Sequence, residues 1–283
     1  MNKKLHSLSL LFLLILLFTT ACAATAPAPT ATPIPPTVTA VPPTATPEPP
    51  QDPKILFIGD SYTADFRGLN EHLVALAASK NPPVTVESMK IAPGGTSLWG
   101  HWFGPQAVKT IQQGQWTTVV LQDDLEYYEW DEAPFYEYHR NFHQEIQNIG
   151  AETVLFLSWK SEWTDPALVE QMTQAYVTIS EELGVKVAPV GPAWRRAMTE
   201  RPDLDLYADD RGHANIAGTY LTTVVIYATI FDESPEGLAY LPSDLIGGES
   251  SARYEEWKIS EEDLAFLQRI AWETVVDYQE NGL

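Results

Sequence analysis

Cysteine is almost missing from this chain. Cys22 is the only one in 283 residues, so no disulfide can form within it. Basic residues are scarce too: Lys and Arg total 17 against 38 Asp and Glu, for a formal net charge of -21 and a pI near 4.5. No segment is rich in Lys or Arg, so nucleic acid is not expected as a partner. The acidic field also disfavours strongly anionic substrates and anionic lipid surfaces. The apolar run of the amino terminus, Leu8 to Phe18, is shorter than a comfortable membrane span. No internal repeat is apparent.

The first residues have a different character. A basic head, Met1-Asn2-Lys3-Lys4, precedes that run, and Thr19-Thr20-Ala21-Cys22 follows it. This is the pattern of a secretory signal over residues 1–22. The placement of Cys22 resembles a bacterial lipoprotein signal, in which the cysteine is lipidated and becomes the first mature residue. Thr19 stands where such signals usually carry Leu; the alternative is an ordinary secretory signal cut after an Ala. Membrane contact is then expected only through a lipid anchor at Cys22. Residues 23–53 are mostly Ala, Thr, Pro and Val and carry no periodic apolar pattern, so they form no core. Such a segment favours extended polyproline conformation, about 3.1 Å per residue, and suits a stalk.

Residues 54–283 are long enough for one sizeable domain. Short apolar runs alternate there with helical patterns. The runs are 54–58, 84–89, 117–122, 153–158 and 185–190; the helical stretches are 69–79, 105–113, 134–149 and 166–183. Alternating β and α units predict an α/β fold with a doubly wound, mostly parallel five-stranded sheet and helices on both faces. The first strand should be interior, its carboxyl end near the topological switch point where open sheets bind ligands.

Each strand end offers chemistry. Lys54-Ile55-Leu56-Phe57-Ile58 reads as a strand buried on both faces. Gly59 permits a sharp turn, and Asp60-Ser61 leads into a helix beginning near Ala64. Ser61 reads equally as a helix cap or as a nucleophile at a helix N-terminus. After the second strand come Gly94-Gly95-Thr96, a plain turn or a backbone N–H donor loop. After the third comes Gln122, whose uncharged amide suits an oxyanion. Asp210 and His213 stand three apart before an apolar helix running to about Phe231. A carboxylate at that spacing can fix an imidazole tautomer, although a helix cap beside a surface histidine looks the same. Asp209 is a second candidate acid. His139 and His143, four apart, have a metal-binding spacing, but Glu137, Arg140 and Gln144 around them read as a solvated helix face.

The order Gly-Asp-Ser, Gly-Gly-Thr, strand-Gln, Asp-x-x-His resembles the SGNH (GDSL-type) hydrolase superfamily, in a branch like its carbohydrate esterases. The resemblance runs from Ile55 to about Phe231. It implies the flavodoxin-like fold of that superfamily and a Ser61–His213–Asp210 triad acting through an acyl-enzyme. It implies an oxyanion hole of the Ser61 and Gly95 (or Gly94) N–H groups and the Gln122 amide, and no metal or organic cofactor. Where the superfamily carries Gly-x-Asn-Asp, this chain has Leu121-Gln122-Asp123-Asp124, which leaves branch and substrate open.

Of nine tryptophans, Trp99, Trp102, Trp130, Trp159 and Trp163 fall at strand ends or in loops on the expected site side. Aromatic faces suit sugar rings. Asp60, Trp99 and Trp102 are therefore expected near substrate, with His101 at the cleft mouth. The expected partner is a small-molecule or glycan ester, the acyl group a short one such as acetyl. A non-catalytic glycan-binding surface domain is the alternative of a different class. A lipase or thioesterase of the same fold is a third. Oligomeric state is not readable from the chain.

Overall fold

The computed structural model describes residues 52–123, 132–246 and 258–282. The signal segment, Cys22, residues 23–51 and Trp130 lie outside the described residues. In chain order the elements are β1 (Lys54–Ile58), α1 (Ser61–Ala64), α2 (Leu69–Ala78), β2 (Glu87–Ile91), α3 (Leu98–Phe103) and α4 (Ala107–Gln113). There follow β3 (Thr118–Leu121), α5 (Glu132–Asn148), β4 (Glu152–Phe156), α6 (Pro166–Leu183), β5 (Lys186–Ala188) and α7 (Val190–Glu200). The chain closes with α8 (Ile216–Phe231), α9 (Pro242–Ile246) and α10 (Glu261–Asn281). No helix among the described residues is long and apolar enough to cross a membrane.

The sheet has five strands in the order β2-β1-β3-β4-β5, every pair parallel. The expected α/β class and the interior first strand are both present, with β1 between β2 and β3. Ile58 is level with Ile91 on one side and Leu121 on the other, so three strand ends open onto one edge. This is where the order reverses, between β1 and β3.

Strand composition explains the layering. Side chains alternate faces along a strand, so Ile55 and Phe57 of β1 enter one core with Val120, Val154 and Phe156. Leu56 and Ile58 enter the other with Val119, Leu121 and Leu155. Each such buried side chain contributes roughly 1.5–3 kcal/mol. The first core is closed by α2, α7, α8 and α10, the second mainly by α4, α5 and α6. Helix α8 is buried at every position from Ile216 to Thr229, and α10 packs on it through Leu264, Leu267, Ile270, Ala271 and Val275.

Differences from the sequence reading have local causes. β2 starts at Glu87 rather than at residue 84, because pairing begins only where Lys54 meets Glu87; Val84 and Val86 pack on the core ahead of the ladder. The fifth strand stops at Ala188, because Pro189 cannot extend a ladder and instead caps α7. Helices α7 and α10 lie outside the alternation read from the sequence.

Candidate active site

The nucleophile turn is built around Gly59. A β-carbon there would lie 2.4 Å from both Gln122 Oε1 and Thr63 Oγ1, so only glycine fits. The helix begins at Ser61 itself, not near Ala64. Asp60 is the cap, its Oδ1 accepting the Tyr62 N–H at 2.8 Å. That resolves the ambiguity at Ser61: the capping duty belongs to its neighbour, and the Ser61 hydroxyl is available for another partner.

The peptide group between Gly59 and Asp60 is clamped at both ends. Its carbonyl accepts from His101 Nε2–H at 2.8 Å; its N–H donates to Gln122 Oε1 at 2.8 Å. Gln122 Oε1 also accepts the Thr63 hydroxyl at 2.9 Å. A backbone N–H can only donate, so the amide oxygen must face it and the amide nitrogen is turned the other way. Gln122 Nε2 is buried and has no hydrogen-bond partner among the described residues. A buried donor left unmade costs about 1–3 kcal/mol.

The Asp210–His213 turn closes on the nucleophile from the other side. Asp210 Oδ1 accepts the N–H groups of Gly212 and His213, both at 3.0 Å. Asp210 Oδ2 receives His213 Nδ1 at 2.6 Å, and His213 Nε2 lies 2.9 Å from Ser61 Oγ. A carboxylate only accepts, so Nδ1 carries the proton and Nε2 is free to accept from the serine. The turn is pinned by Arg211, which forks to Glu162 at 2.8 and 3.0 Å and reaches Asp205 at 2.6 Å. Asn215 then caps α8 by accepting the Gly218 N–H at 3.0 Å.

The charges favour a basic imidazole. Partial burial disfavours the charged ring, but the hydrogen bond to Asp210 and the negative charges of Asp65, Asp210 and Asp60 outweigh it, so the pKa of His213 is raised. For Asp210 burial pushes upward, and the N–H groups of Gly212 and His213 with the imidazole hydrogen bond outweigh it, so its pKa falls. Asp65 is raised, mainly by burial.

Most residues read from the sequence do converge. Ser61, His213 and Asp210 form one hydrogen-bonded line; Asp209 is exposed and takes no part in it. Gly94 adjoins the nucleophile, since a β-carbon built on it would lie 4.0 Å from Ser61 Cβ. Gly95 has the left-handed φ of 62° that favours glycine. Trp99 and Trp163 are 53% and 69% exposed.

Other expectations fail. Asp60 is buried as the cap of α1, which leaves it little surface for a substrate. Trp159 is buried between two other rings, whereas Trp102 is only half-buried, packing on Phe142 and Tyr138. His101 is buried beneath the nucleophile turn rather than at the cleft mouth, because α3 turns it inward with Leu98. His139 is fully buried and bonds to the Phe135 carbonyl, so its face of α5 is core and not solvated. His143 bonds to Thr153 Oγ1 instead of sharing a site with it. The sequence reading does not find Asp65, Tyr62, Arg211 or the exposed Phe103. The i, i+4 spacing of Phe103 to Trp99 on one helix face is the one signal that was available for it.

The all-parallel sheet in the order β2-β1-β3-β4-β5, with helices on both faces, is an α/β fold like that of SGNH hydrolases. No protein-family model matches the chain, and no curated protein is similar to it in sequence. Solved structures share the fold. A DUF4886 family protein from Bacteroides uniformis aligns with a TM-score of 0.59 at 16% identity, over 79% of this chain and 95% of its own. A candidate SGNH hydrolase from Slackia heliotrinireducens aligns at 0.52 and 21% identity, over 64% of this chain and 100% of its own. An acetyl xylan esterase aligns at 0.55 and 13% identity, over 62% and 99%.

Proposed function

We propose that this chain is a serine esterase that removes short acyl groups, acetyl above all, from carbohydrate. Ser61 Oγ attacks the ester carbonyl while His213 Nε2 takes its proton. Asp210 holds the tautomer and stabilises the imidazolium. The oxyanion is received by the N–H groups of Ser61 and Gly95, or its neighbour Gly94, and by Gln122 Nε2. Each such donor is worth about 3 kcal/mol in the transition state. His213 then protonates the departing alcohol, and water repeats the sequence on the acyl-enzyme. The unpartnered, buried Gln122 Nε2 supports its donor role, since an acceptor that forms only during reaction would satisfy it.

The observation that carries the reading is the line Asp210–His213–Ser61, at 2.6 and 2.9 Å. The carbohydrate part rests on exposed Trp99, Phe103 and Trp163, on the acidity that disfavours anionic substrates, and on the acetyl xylan esterase among the structures that share the fold. The deciding experiment is Ser61→Ala. It should abolish hydrolysis of 4-nitrophenyl acetate and of acetylated glycans with the fold intact, and a fluorophosphonate should label Ser61 in the wild type. Full activity in the variant would remove Ser61 as the nucleophile, and absence of hydrolysis in the wild type would leave a glycan-binding domain as the better reading. Lipidation at Cys22 belongs to the same proposal, and mass spectrometry of the mature amino terminus tests it.

A further inference from the structure

Trp159 lies three residues beyond the end of β4 and is 3% exposed. Its indole stacks on Trp194 at 4.4 Å and 3° on one face and on Tyr62 at 4.4 Å and 17° on the other. Its Nε1–H donates to the Gly212 carbonyl at 2.9 Å. Tyr62 follows Ser61 in the chain, and Gly212 precedes His213. One buried ring therefore touches the neighbour of the nucleophile and the neighbour of the base. The peptide between Gly212 and His213 is held at both ends, its carbonyl by Trp159 and its N–H by Asp210 Oδ1 at 3.0 Å. Tyr62 also meets the His213 imidazole edge-on, at 5.5 Å and 86°. Ser61 and His213 are 152 residues apart in sequence, and no backbone hydrogen bond joins their two turns among the described residues.

We propose that Trp159 is a positioning residue for ester hydrolysis, setting the separation between the Ser61 hydroxyl and His213 Nε2. The proposal rests on the esterase reading above. It replaces the sugar-contacting role that the sequence suggests for this tryptophan, because a ring stacked on both faces offers none to a substrate. Proton transfer to a base is steeply sensitive to that separation, and the Asp210–His213 bond lies inside its own turn and is untouched by the indole.

Trp159→Phe keeps much of the stack and removes the Nε1–H. With 4-nitrophenyl acetate, and with active sites counted by fluorophosphonate titration, it should lower kcat per titrated site about tenfold. KM and the acid-limb pKa should stay where they are. Tyr62→Leu, which releases the other side of the tie with Trp159 in place, should lower kcat per titrated site in the same sense. Trp194→Phe, which disturbs the stack away from both turns, should lower Tm while leaving kcat per titrated site within about twofold. A lower Tm with full kcat per titrated site in Trp159→Phe would overturn the proposal, because packing alone would explain it. A raised KM with kcat spared would overturn it in favour of substrate contact. Failure of the wild type to label at Ser61 would instead overturn the esterase reading, and the positioning role with it.

Discussion

Replacing Asp210 by Asn is the sharpest test of the site. The Asn oxygen can still accept the N–H groups of Gly212 and His213, both at 3.0 Å in the native turn, so the turn should keep its shape. The amide nitrogen then takes the position that faces His213 Nδ1 at 2.6 Å. An amide N–H needs an acceptor there, so Nδ1 loses its proton and Nε2 gains one. Nε2, 2.9 Å from Ser61 Oγ, would then offer a proton to the serine instead of taking one. In buried triads that swap lowers kcat about 10⁴-fold. The Asp210 side chain is 55% exposed, so solvent softens the effect, and a loss of about 10³-fold is expected. The pH profile moves as well. Asp210 is among the groups holding the His213 pKa up, and the working form of the base is neutral. Without that charge the acid limb of kcat/KM should shift to lower pH. The assay is 4-nitrophenyl acetate hydrolysis from pH 5 to 9, normalised to titrated sites. A loss below about tenfold with an unmoved acid limb would refute the tautomer argument.

Further outcomes follow from the same geometry. Gln122→Ala should lower kcat about a hundredfold with little change in KM, and Gln122→Glu should be worse, as a carboxylate would face developing negative charge; steady-state kinetics of both variants checks this. Trp99→Ala combined with Phe103→Ala should raise KM for an acetylated oligosaccharide several-fold and leave 4-nitrophenyl acetate unaffected, since both rings are exposed on α3. Burial, the largest cause in each, lowers the pKa of His72 and His139 from 6.5 to about 4. The unfolded chain therefore gains protons below pH 6.5 that the folded chain refuses until about pH 4. Stability should fall across that window by up to about 3 kcal/mol per ring. Urea midpoints measured against pH should show it, with a shallower fall in His139→Phe.

Much of the site was legible because its chemistry is local in sequence. Gly59-Asp60-Ser61 ends an apolar run, and Asp210 reaches His213 within one turn. Short-range spacing carries such information directly. The supporting rings were not legible for the opposite reason. A tryptophan after a strand reads the same whether it points into solvent, as Trp163 does, or into a stack, as Trp159 does. Partners 35 and 97 residues away decide the matter, and no periodicity records them. His139 misled through its polar neighbours, although Phe135, Tyr138, Phe142 and Ile146 share its helix face and mark the buried stripe. Helix α10 was hidden by its acidic start, Glu261-Glu262-Asp263, while Leu264, Leu267, Ile270, Ala271 and Val275 carry the amphipathic spacing that could have found it.

Helix α8 has no charged side chain and is buried from Ile216 to Thr229, and much of its cover is α10, which begins 30 residues after α8 ends. Synthesis therefore delivers the most apolar helix of the domain before the helix that shields it. Until Leu264, Leu267 and Ile270 dock, that surface is open to other chains, and His213, just ahead of α8, stands on an unfinished support. Reactive geometry and protection from aggregation thus share one helix–helix contact, so loosening the α10 face that covers α8 should cost ester cleavage and solubility together.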